Sequence, residues 1–316
     1  MQSLLVFKPL YQDRIWGGTA LADALGRTLP DGRKIGESWE IVDRPEAQSV
    51  VENGPLAGQS IREVIARDAA AVMGPSWSAD RPFPILVKWL DCNERLSLQV
   101  HPPMAVAPSL GGEPKTENWY VAHARPDAQL IVGFKQPTTP EAFTRAMQDG
   151  TLENLVNRVP VKAGDSVLVH SGQIHAIDSG NLILEIQQNS DTTYRVSDWD
   201  RVDAKGKARE LHLAQAMRSI IWDGPPPRVL VQPATPVVLA EAKEFRIVKT
   251  SLTAGGTLAF AAGEQPRILS VVSGALVSAE GVRIEAGTNA LIPYAASLSL
   301  TAALPTEVLV SDRFVG

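Results

Sequence analysis

The sequence is poor in cysteine and carries no excess of basic residues. Cys92 is the only cysteine among 316 residues, which excludes an internal disulfide framework and any cysteine-rich zinc site. Lysine and arginine number 30 against 35 acidic residues, and they are scattered, so the charge pattern of a nucleic-acid-binding protein is absent. We therefore expect a small-molecule partner, and any metal must be bound through His, Asp, Glu or an amide oxygen.

Long apolar runs are also missing. No stretch approaches the roughly 20 apolar residues that a membrane span needs, and residues 1–18 lack the basic and apolar regions of a signal peptide. The single cysteine also suits a reducing compartment. The sequence thus predicts a cytoplasmic protein with no membrane partner, and it leaves the oligomeric state open.

Many short runs rich in β-branched residues are present, separated by 24 glycines and 23 prolines. Short strands at this spacing are typical of a β-sandwich or barrel. Five runs carry the clearest strand pattern: 84–90, 96–101, 128–134, 165–170 and 181–188.

Helical patterns are fewer. Apolar spacing predicts a helix over 60–74 with Ser60 as its N-cap, two short helices within 139–159 around Gly150, and a third helical region over 208–221. We expect these helices to pack on the first of two β domains.

Proline density divides the chain into two predicted domains. Residues 226–236 read as a linker between a first domain with helical insertions, 1–225, and a C-terminal β domain, 237–316. Residues 161–177 align with 284–300, so the second domain is interpreted as a second copy of the same fold. Chance similarity of two glycine-turn-strand units is the alternative.

Two histidines distinguish the first copy. The spacing G-x5-H-x-G-x2-H from Gly164 to His175 resembles the second conserved motif of the cupin superfamily, in which the last histidine binds a metal. His170 stands where proline is usual in that motif and is interpreted as structural. Leu298 occupies the position of His175 in the second copy, so we expect one metal site per chain, in the first domain.

The cupin resemblance implies a first motif upstream, on a strand that carries two ligands at i and i+2. Alternate strand residues point to one face, and Gln99 and His101 in "SLQVHP" supply such a pair. Glu117 in "PKTENWY" offers a carboxylate. This mixed N/O set suits Zn²⁺, although Mn²⁺, Co²⁺ or Fe²⁺ would also fit.

A sharper resemblance is to the type I phosphomannose isomerases, particularly their shorter bacterial form. Six blocks occur in the family order over about the first two-thirds of the chain: "RIWGG" (14–18), "GESWEI" (36–41), "PILVKWLDCNERLSLQVHP" (84–102), "KTENWY" (115–120), "GQIHAI" (172–177) and "EIQQNSDTTYRVSDWDR" (185–201). The resemblance implies a mainly β protein with two cupin-type (jelly-roll) domains. It also implies four zinc ligands: Gln99, His101, Glu117 and His175.

The same resemblance assigns further residues to the substrate. It places Lys115 and Arg195 beside the substrate, with Glu185 and Asp191 nearby. It also implies a pocket lined by Trp16, Glu37, Lys88 and Ser97. The loop Pro103–Ala107 and the residue Ile177 depart from the family pattern, which affects the expected sugar preference rather than the metal site.

The implied activity is zinc-dependent interconversion of mannose 6-phosphate and fructose 6-phosphate through an enediol. Lys115 or Glu185 could shuttle the proton, and we favour Lys115, since burial and a nearby Zn²⁺ would lower its pKa. The planar guanidinium of Arg195 matches a phosphate or an enediolate oxygen. An ion pair of Arg195 with Asp198 or Asp200 is the structural alternative.

Three other functions are compatible with a cupin site. A non-catalytic sugar-phosphate-binding cupin would keep the metal ligands but would not need Lys115 and Arg195. An isomerase acting on other aldoses would share the whole site. A cupin oxidoreductase using Fe²⁺ and dioxygen typically has a histidine-rich first motif, and Gln99 disfavours it.

Overall fold

The computed structural model describes residues 4–30, 33–202, 205–230 and 235–314. The described residues are mainly β, and none of their helices is long and apolar enough to cross a membrane. The α-helices are α1 (Ala20–Leu25), α2 (Ile61–Arg67), α3 (Ala69–Met73), α4 (Pro140–Gln148) and α5 (Leu213–Ser219). Short 3₁₀ helices cover Gly54–Leu56, Ala107–Leu110 and Leu152–Asn154.

The strands fall into two runs along the chain. The first fourteen are β1 (Leu5–Val6), β2 (Leu10–Gly18), β3 (Ile35–Ile41), β4 (Asp43–Arg44), β5 (Ala47–Gln48), β6 (Ile85–Cys92), β7 (Leu98–Val100), β8 (Glu117–Ala124), β9 (Gln129–Phe134), β10 (Val156–Pro160), β11 (Ser166–Val169), β12 (His175–Ile177), β13 (Asn181–Gln188) and β14 (Tyr194–Ser197). The remainder are β15 (Val229–Leu230), β16 (Val237–Glu241), β17 (Arg246–Leu252), β18 (Thr257–Phe260), β19 (Arg267–Ser273), β20 (Ala275–Ser278), β21 (Arg283–Glu285), β22 (Asn289–Ile292), β23 (Leu298–Ala302) and β24 (Thr306–Asp312).

These strands form four larger sheets and one two-stranded ribbon, β4-β5. A seven-stranded sheet has the order β15-β11-β8-β13-β6-β3-β2, and a five-stranded sheet has the order β10-β9-β12-β7-β14. A six-stranded sheet runs β1-β22-β19-β24-β17-β16, and a four-stranded sheet runs β18-β23-β20-β21. Each strand pairing whose register is defined is antiparallel, as expected for a jelly-roll protein.

The chain divides into two compact units. The central unit comprises Gln12–Glu37 and Trp89–Val231, and the terminal unit comprises Met1–Tyr11, Ser38–Lys88 and Gln232–Gly316. Residues 38–88 belong to the first predicted domain, 1–225, but to the terminal compact unit of the structure. The predicted boundaries 1–225 and 237–316 stay a prediction. Of the predicted linker 226–236, residues 231–234 lie outside the described residues.

Helices cover one face of the five-stranded sheet in the central unit. Leu98 and Val100 of β7 are buried in one hydrophobic cluster with Phe143 of α4 and Ala216 of α5. Because side chains alternate along a strand, Gln99 points to the opposite face. The apolar residues of "LSLQVH" thus fix the polar pair Gln99 and His101 on the inner side of the sandwich.

The two segments of the predicted internal repeat have similar strand positions and turn glycines. Strand β11 of the first copy corresponds residue for residue to β22 of the second, and β12 and β23 begin at aligned positions although β23 is longer. Gly164 and Gly287 precede the first strand of each copy with φ of 93° and 88°, a conformation that glycine adopts without strain. Leu298, at the position of His175, is 5% exposed within the apolar core of the terminal unit, so the second copy has a core leucine where the first has a buried histidine.

Three helix predictions need correction. The helix expected over 60–74 is split into α2 and α3 at Asp68, whose side chain accepts a hydrogen bond from the Ala71 backbone N–H at 3.1 Å. The region 139–159 contains one α-helix and one 3₁₀ turn, and its end is strand β10. The region 208–221 becomes helical only at Leu213. In each segment, apolar spacing correctly predicted a helix over part of the residues. Local capping or strand pairing determined where the observed helix begins or ends.

Ser60 caps helix α2 as predicted. Its hydroxyl accepts from the Glu63 N–H at 3.2 Å, and Glu63 accepts from the Ser60 N–H at 2.7 Å, which forms a capping box. Replacement of Ser60 by alanine should lower the free energy of unfolding by about 1 kcal/mol, measured by urea denaturation. Ser60→Thr keeps the acceptor and serves as the control; an equal loss in both variants would contradict the capping role.

Candidate metal centre and active site

Two sheets of the central unit bring the four predicted metal ligands together. In the five-stranded sheet, His175 at the start of β12 lies directly opposite Gln99 of β7, and His101 follows the end of β7. Glu117 is the first residue of β8 in the seven-stranded sheet. The ligands that the sequence separates by up to 76 positions are thus neighbours on the inner faces of the sandwich.

The potential ligand atoms of these residues converge on one point. His101 Nε2 lies 3.1 Å from His175 Nε2, 3.4 Å from Glu117 Oε2, and His175 Nε2 lies 3.5 Å from Glu117 Oε1. Gln99 Nε2 is 3.3 Å from His175 Nε2. Within the described part of the chain, His101, Glu117 and His175 are the one group of three or more such residues whose ligand atoms lie within 4.8 Å of one another.

Backbone carbonyls orient both imidazoles. His101 Nδ1 donates to the Thr192 carbonyl at 2.7 Å, and His175 Nδ1 donates to the Gln173 carbonyl at 2.8 Å. A histidine that donates through Nδ1 carries a free lone pair on Nε2, which is the arrangement found at protein metal sites. The two Nε2 atoms therefore face each other as acceptors, 3.1 Å apart.

Burial keeps both imidazoles neutral. It lowers the pKa of His175 to about 3, against the opposing effect of the Glu117 carboxylate, and it lowers the pKa of His101 with help from the Lys115 charge. Burial alone would raise the pKa of Glu117, but the Lys115 ammonium outweighs it and holds that pKa well below its usual value. The site therefore presents two neutral imidazoles and one carboxylate.

The donor set fits a divalent cation. Glu117 is fully buried, and its Oε1 forms no hydrogen bond with any described residue. A buried carboxylate oxygen without a hydrogen bond, beside two facing imidazole lone pairs, is unfavourable unless a cation lies between them. The prediction of a metal site is therefore supported for His101, Glu117 and His175.

Lys115 and Glu185 form a buried pair beside the metal group. Lys115 Nζ lies 2.6 Å from Glu117 Oε2 and 3.5 Å from Glu185 Oε1, and the indole N–H of Trp119 donates to Glu185 Oε2 at 2.9 Å. Burial lowers the pKa of Lys115, but the two carboxylates outweigh it and raise that pKa above its usual value. These protein groups by themselves shift the pKa of Lys115 upward, and the lowering expected for Lys115 beside Zn²⁺ stays a prediction.

Arg195 lies on β14, directly opposite Gln99 in the register. Asp198, the ion-pair partner suggested by the sequence, instead pairs with Arg201 at 2.7 Å and with Arg209. Arg195 makes no ion pair with a described residue, and its Nε is buried without a hydrogen bond. Among the residues that the structure describes, the Arg195 charge thus forms no ion pair with a carboxylate.

The remaining predicted pocket residues are distributed over both units. In the central unit, Trp16 is buried in a hydrophobic cluster, Glu37 pairs with Arg14 at 2.8 Å, and Asp191 is exposed. The Ser97 hydroxyl donates to Gln99 Oε1 at 3.2 Å. In the terminal unit, Lys88 is buried with its Nζ 4.5 Å from the centre of the Trp39 ring. Ser97 therefore lies beside the metal group, whereas the contact described for Lys88 is a cation–π contact with Trp39.

Several supporting residues were not foreseen. Thr192 and Gln173 act through backbone carbonyls, which any side chain can provide, so the sequence holds no signal for them. Gln188 accepts from the Thr116 N–H at 2.8 Å and thereby fixes the chain between Lys115 and Glu117. Trp119 could have been found, since it lies two residues after Glu117 and alternation places both side chains on one face.

Comparisons with known proteins decide the family. A family model described as phosphomannose isomerase type I, catalytic domain, matches residues 4–110. The mannose-6-phosphate isomerase ManA of Bacillus subtilis is 40% identical over 301 residues, covering 92% of this chain and 93% of that protein. The chain belongs to the type I phosphomannose isomerase family. A probable mannose-6-phosphate isomerase of the same organism is 38% identical with the same coverage, and the prediction of a phosphomannose isomerase is confirmed.

Solved structures agree with this assignment. The crystal structure of mannose 6-phosphate isomerase from Bacillus subtilis superimposes with a TM-score of 0.85 at 32% identity, covering 98% of this chain and all of that one. A putative mannosephosphate isomerase from Archaeoglobus fulgidus, 20% identical with a TM-score of 0.76, shares the fold. The predicted mainly β, cupin-type architecture of this isomerase is confirmed.

Proposed function

We propose that this isomerase interconverts mannose 6-phosphate and fructose 6-phosphate with one Zn²⁺ per chain, through an enediol. One observation carries the proposal: the buried His101–Glu117–His175 group, whose lone pairs converge, adjoins the buried Lys115–Glu185 pair. Aldose–ketose isomerisation needs a Lewis acid at the sugar oxygens and a group that moves a proton between C2 and C1. The residues that would bind the Lewis acid and those that would move the proton lie in one cluster of buried side chains.

Four residues would hold the zinc: Gln99, His101, Glu117 and His175. Nitrogen and carboxylate ligands suit Zn²⁺, and Gln99 would contribute its amide oxygen. Zinc, when bound, supplies Lewis-acid stabilisation of the negative charge that develops on the substrate oxygens. Thr192 and Gln173 hold the imidazole rings in the required orientation through their carbonyls.

We assign the proton transfer to the Lys115–Glu185 pair. Both side chains are buried, their charged atoms lie 3.5 Å apart, and the Trp119 indole fixes one Glu185 oxygen. A proton taken from C2 by one member can be returned at C1 by the same pair, so the substrate must lie within hydrogen-bond reach of it. Because Lys115 Nζ lies between the Glu117 and Glu185 carboxylates, at 2.6 Å and 3.5 Å, we place the accepting role on Glu185 and the donating role on Lys115.

Arg195 is proposed to bind the anionic part of the substrate. Its guanidinium has no carboxylate partner among the described residues, and its strand places it opposite Gln99. A planar guanidinium matches phosphate or enediolate oxygens. Further contacts with the sugar are proposed for Ser97, Asp191, Trp16, Glu37 and Lys88.

Direct turnover tests the proposed reaction. Zinc-loaded protein should convert mannose 6-phosphate to fructose 6-phosphate, with kcat/KM at least about 100-fold higher than for free mannose, since the phosphate contacts would then be lost. Other phosphorylated and free aldoses provide the comparison. Binding of mannose 6-phosphate without turnover would favour a non-catalytic sugar-phosphate-binding cupin, and a higher kcat/KM on another aldose would replace the proposed substrate.

A further inference from the structure

The segment that precedes helix α5 holds Arg195 by its backbone and by its side chain. The Arg195 N–H donates to His212 Nδ1 at 3.1 Å, and the His212 N–H donates back to the Arg195 carbonyl at 2.8 Å. The Arg195 guanidinium Nη1 donates to the Glu210 carbonyl at 2.7 Å. Three hydrogen bonds therefore join one residue of β14 to the turn Glu210–His212, and His212 takes part in two of them.

These contacts replace a missing strand neighbour. Strand β14 is the last strand of the five-stranded sheet, so its outer edge has no ladder partner. The pairing of β14 with β7 is also irregular between Arg195 and Ser197. An unpaired edge with a bulge is weakly fixed by the sheet alone, and His212 satisfies both backbone groups of Arg195 at that point.

The direction of the Arg195 backbone determines where its side chain lies. Because its N–H and carbonyl are used on the outer edge, Arg195 and Gln99 form the pair type that exchanges no backbone hydrogen bonds, in which opposite side chains lie closest. Residues directly opposite each other share one face of the sheet. Gln99 in turn lies opposite His175, so the three side chains form a row across β12, β7 and β14 on the side of the metal group.

The guanidinium of Arg195 is poised to receive an anion. It is half-buried, its Nε forms no hydrogen bond with a described residue, and Asp198 is already paired with Arg201 and Arg209. A partly desolvated cation that forms no ion pair binds an anion more strongly than an exposed one does. Its orientation therefore matters to any anionic substrate that approaches Gln99.

We propose that His212 is a positioning residue for Arg195: its Nδ1 lone pair fixes the β14 backbone so that the guanidinium faces the substrate. This inference rests on the proposed function, in which Arg195 binds the anionic part of a sugar phosphate. It requires the His212 tautomer that carries its proton on Nε2, because Nδ1 must accept. Asparagine can place its Oδ1 where Nδ1 lies, whereas alanine cannot.

Kinetics of position 212 variants test the proposal. His212→Ala should lower kcat/KM for mannose 6-phosphate by about tenfold, while His212→Asn stays within about twofold of the wild type and the zinc content is unchanged in both. His123→Ala, at an exposed histidine on β8, is the matched control and should match the wild type. In an Arg195→Ala background, His212→Ala should cause no further loss, since coupled residues are not additive.

A second measurement, which needs no turnover, tests the hydrogen bond between the Arg195 N–H and His212 Nδ1. Hydrogen exchange at the Arg195 amide should be slow in the wild type and in His212→Asn, and faster in His212→Ala. Unchanged exchange in His212→Ala, or an equal loss of kcat/KM with and without Arg195, would overturn the positioning role. A wild-type protein without turnover would count against the proposed function, and amide exchange would still decide the role of His212.

Discussion

Replacement of His175 by alanine should empty the metal site and lower kcat for mannose 6-phosphate by about 10³-fold. His175 supplies one of two converging imidazole lone pairs, 3.1 Å from that of His101, and no other described histidine reaches this group. Loss of the stabilisation of developing oxyanion charge typically costs about 10²–10³-fold. Metal analysis of the purified variant and steady-state kinetics measure the two effects.

His170 provides the matched control for this substitution. It lies five residues before His175, is exposed, and belongs to the same connection between β11 and β12. His170→Ala should keep both the zinc content and kcat of the wild type. A His175→Ala variant that retains one equivalent of zinc would refute the ligand assignment, as would equal metal loss in both variants.

Replacement of Lys115 by methionine is expected to lower kcat by about 10²–10⁴-fold, the usual contribution of a group that transfers a proton. Methionine keeps most of the side-chain volume but removes the ammonium that lies 2.6 Å from Glu117 and 3.5 Å from Glu185. Lys115 is not a metal ligand, so zinc should remain bound. The substitution should therefore separate chemistry from metal binding, with KM for mannose 6-phosphate changing far less than kcat.

The Lys115 substitution also has a stability signature. Without zinc, the Lys115 ammonium is the nearest cationic partner of the buried Glu117 carboxylate, and removing one partner of a buried ion pair is strongly destabilising. The melting temperature of Lys115→Met should therefore respond more to zinc than that of the wild type. Lys162→Met, at an exposed lysine, is the control; a Lys115→Met enzyme with kcat within a few-fold of the wild type would contradict the assigned role.

Local sequence patterns predicted the strands well. The run 181–188 is a strand over its full length, and 128–134 differs from the observed strand by one residue. Alternation in "LSLQVH" correctly separated Leu98 and Val100, which pack under helices, from Gln99 and His101, whose side chains lie beside His175. A burial pattern with a period of two predicts a strand well, because each side chain of a strand points to one of the two faces of the sheet.

Other features depend on distant contacts and left no local signal. The sequence did not show that Asp68 would cap a new helix, or that two carboxylates would lie near enough to Lys115 to raise its pKa. The carbonyls that orient His101 and His175 belong to residues 91 and two positions away, and backbone atoms carry no residue signature. Glu117 was reached through the family resemblance, since a single glutamate in a turn-rich stretch is not distinctive by itself.

The central proposal for this isomerase is a metal that residues of the first cupin copy hold and that isomerisation requires. The most direct test is to remove bound metal with a chelator, separate the chelator from the protein, and follow conversion of mannose 6-phosphate to fructose 6-phosphate before and after zinc is added back. We predict that turnover is lost with the metal and returns at one equivalent of Zn²⁺ per chain. Full turnover by the metal-free protein would contradict the account.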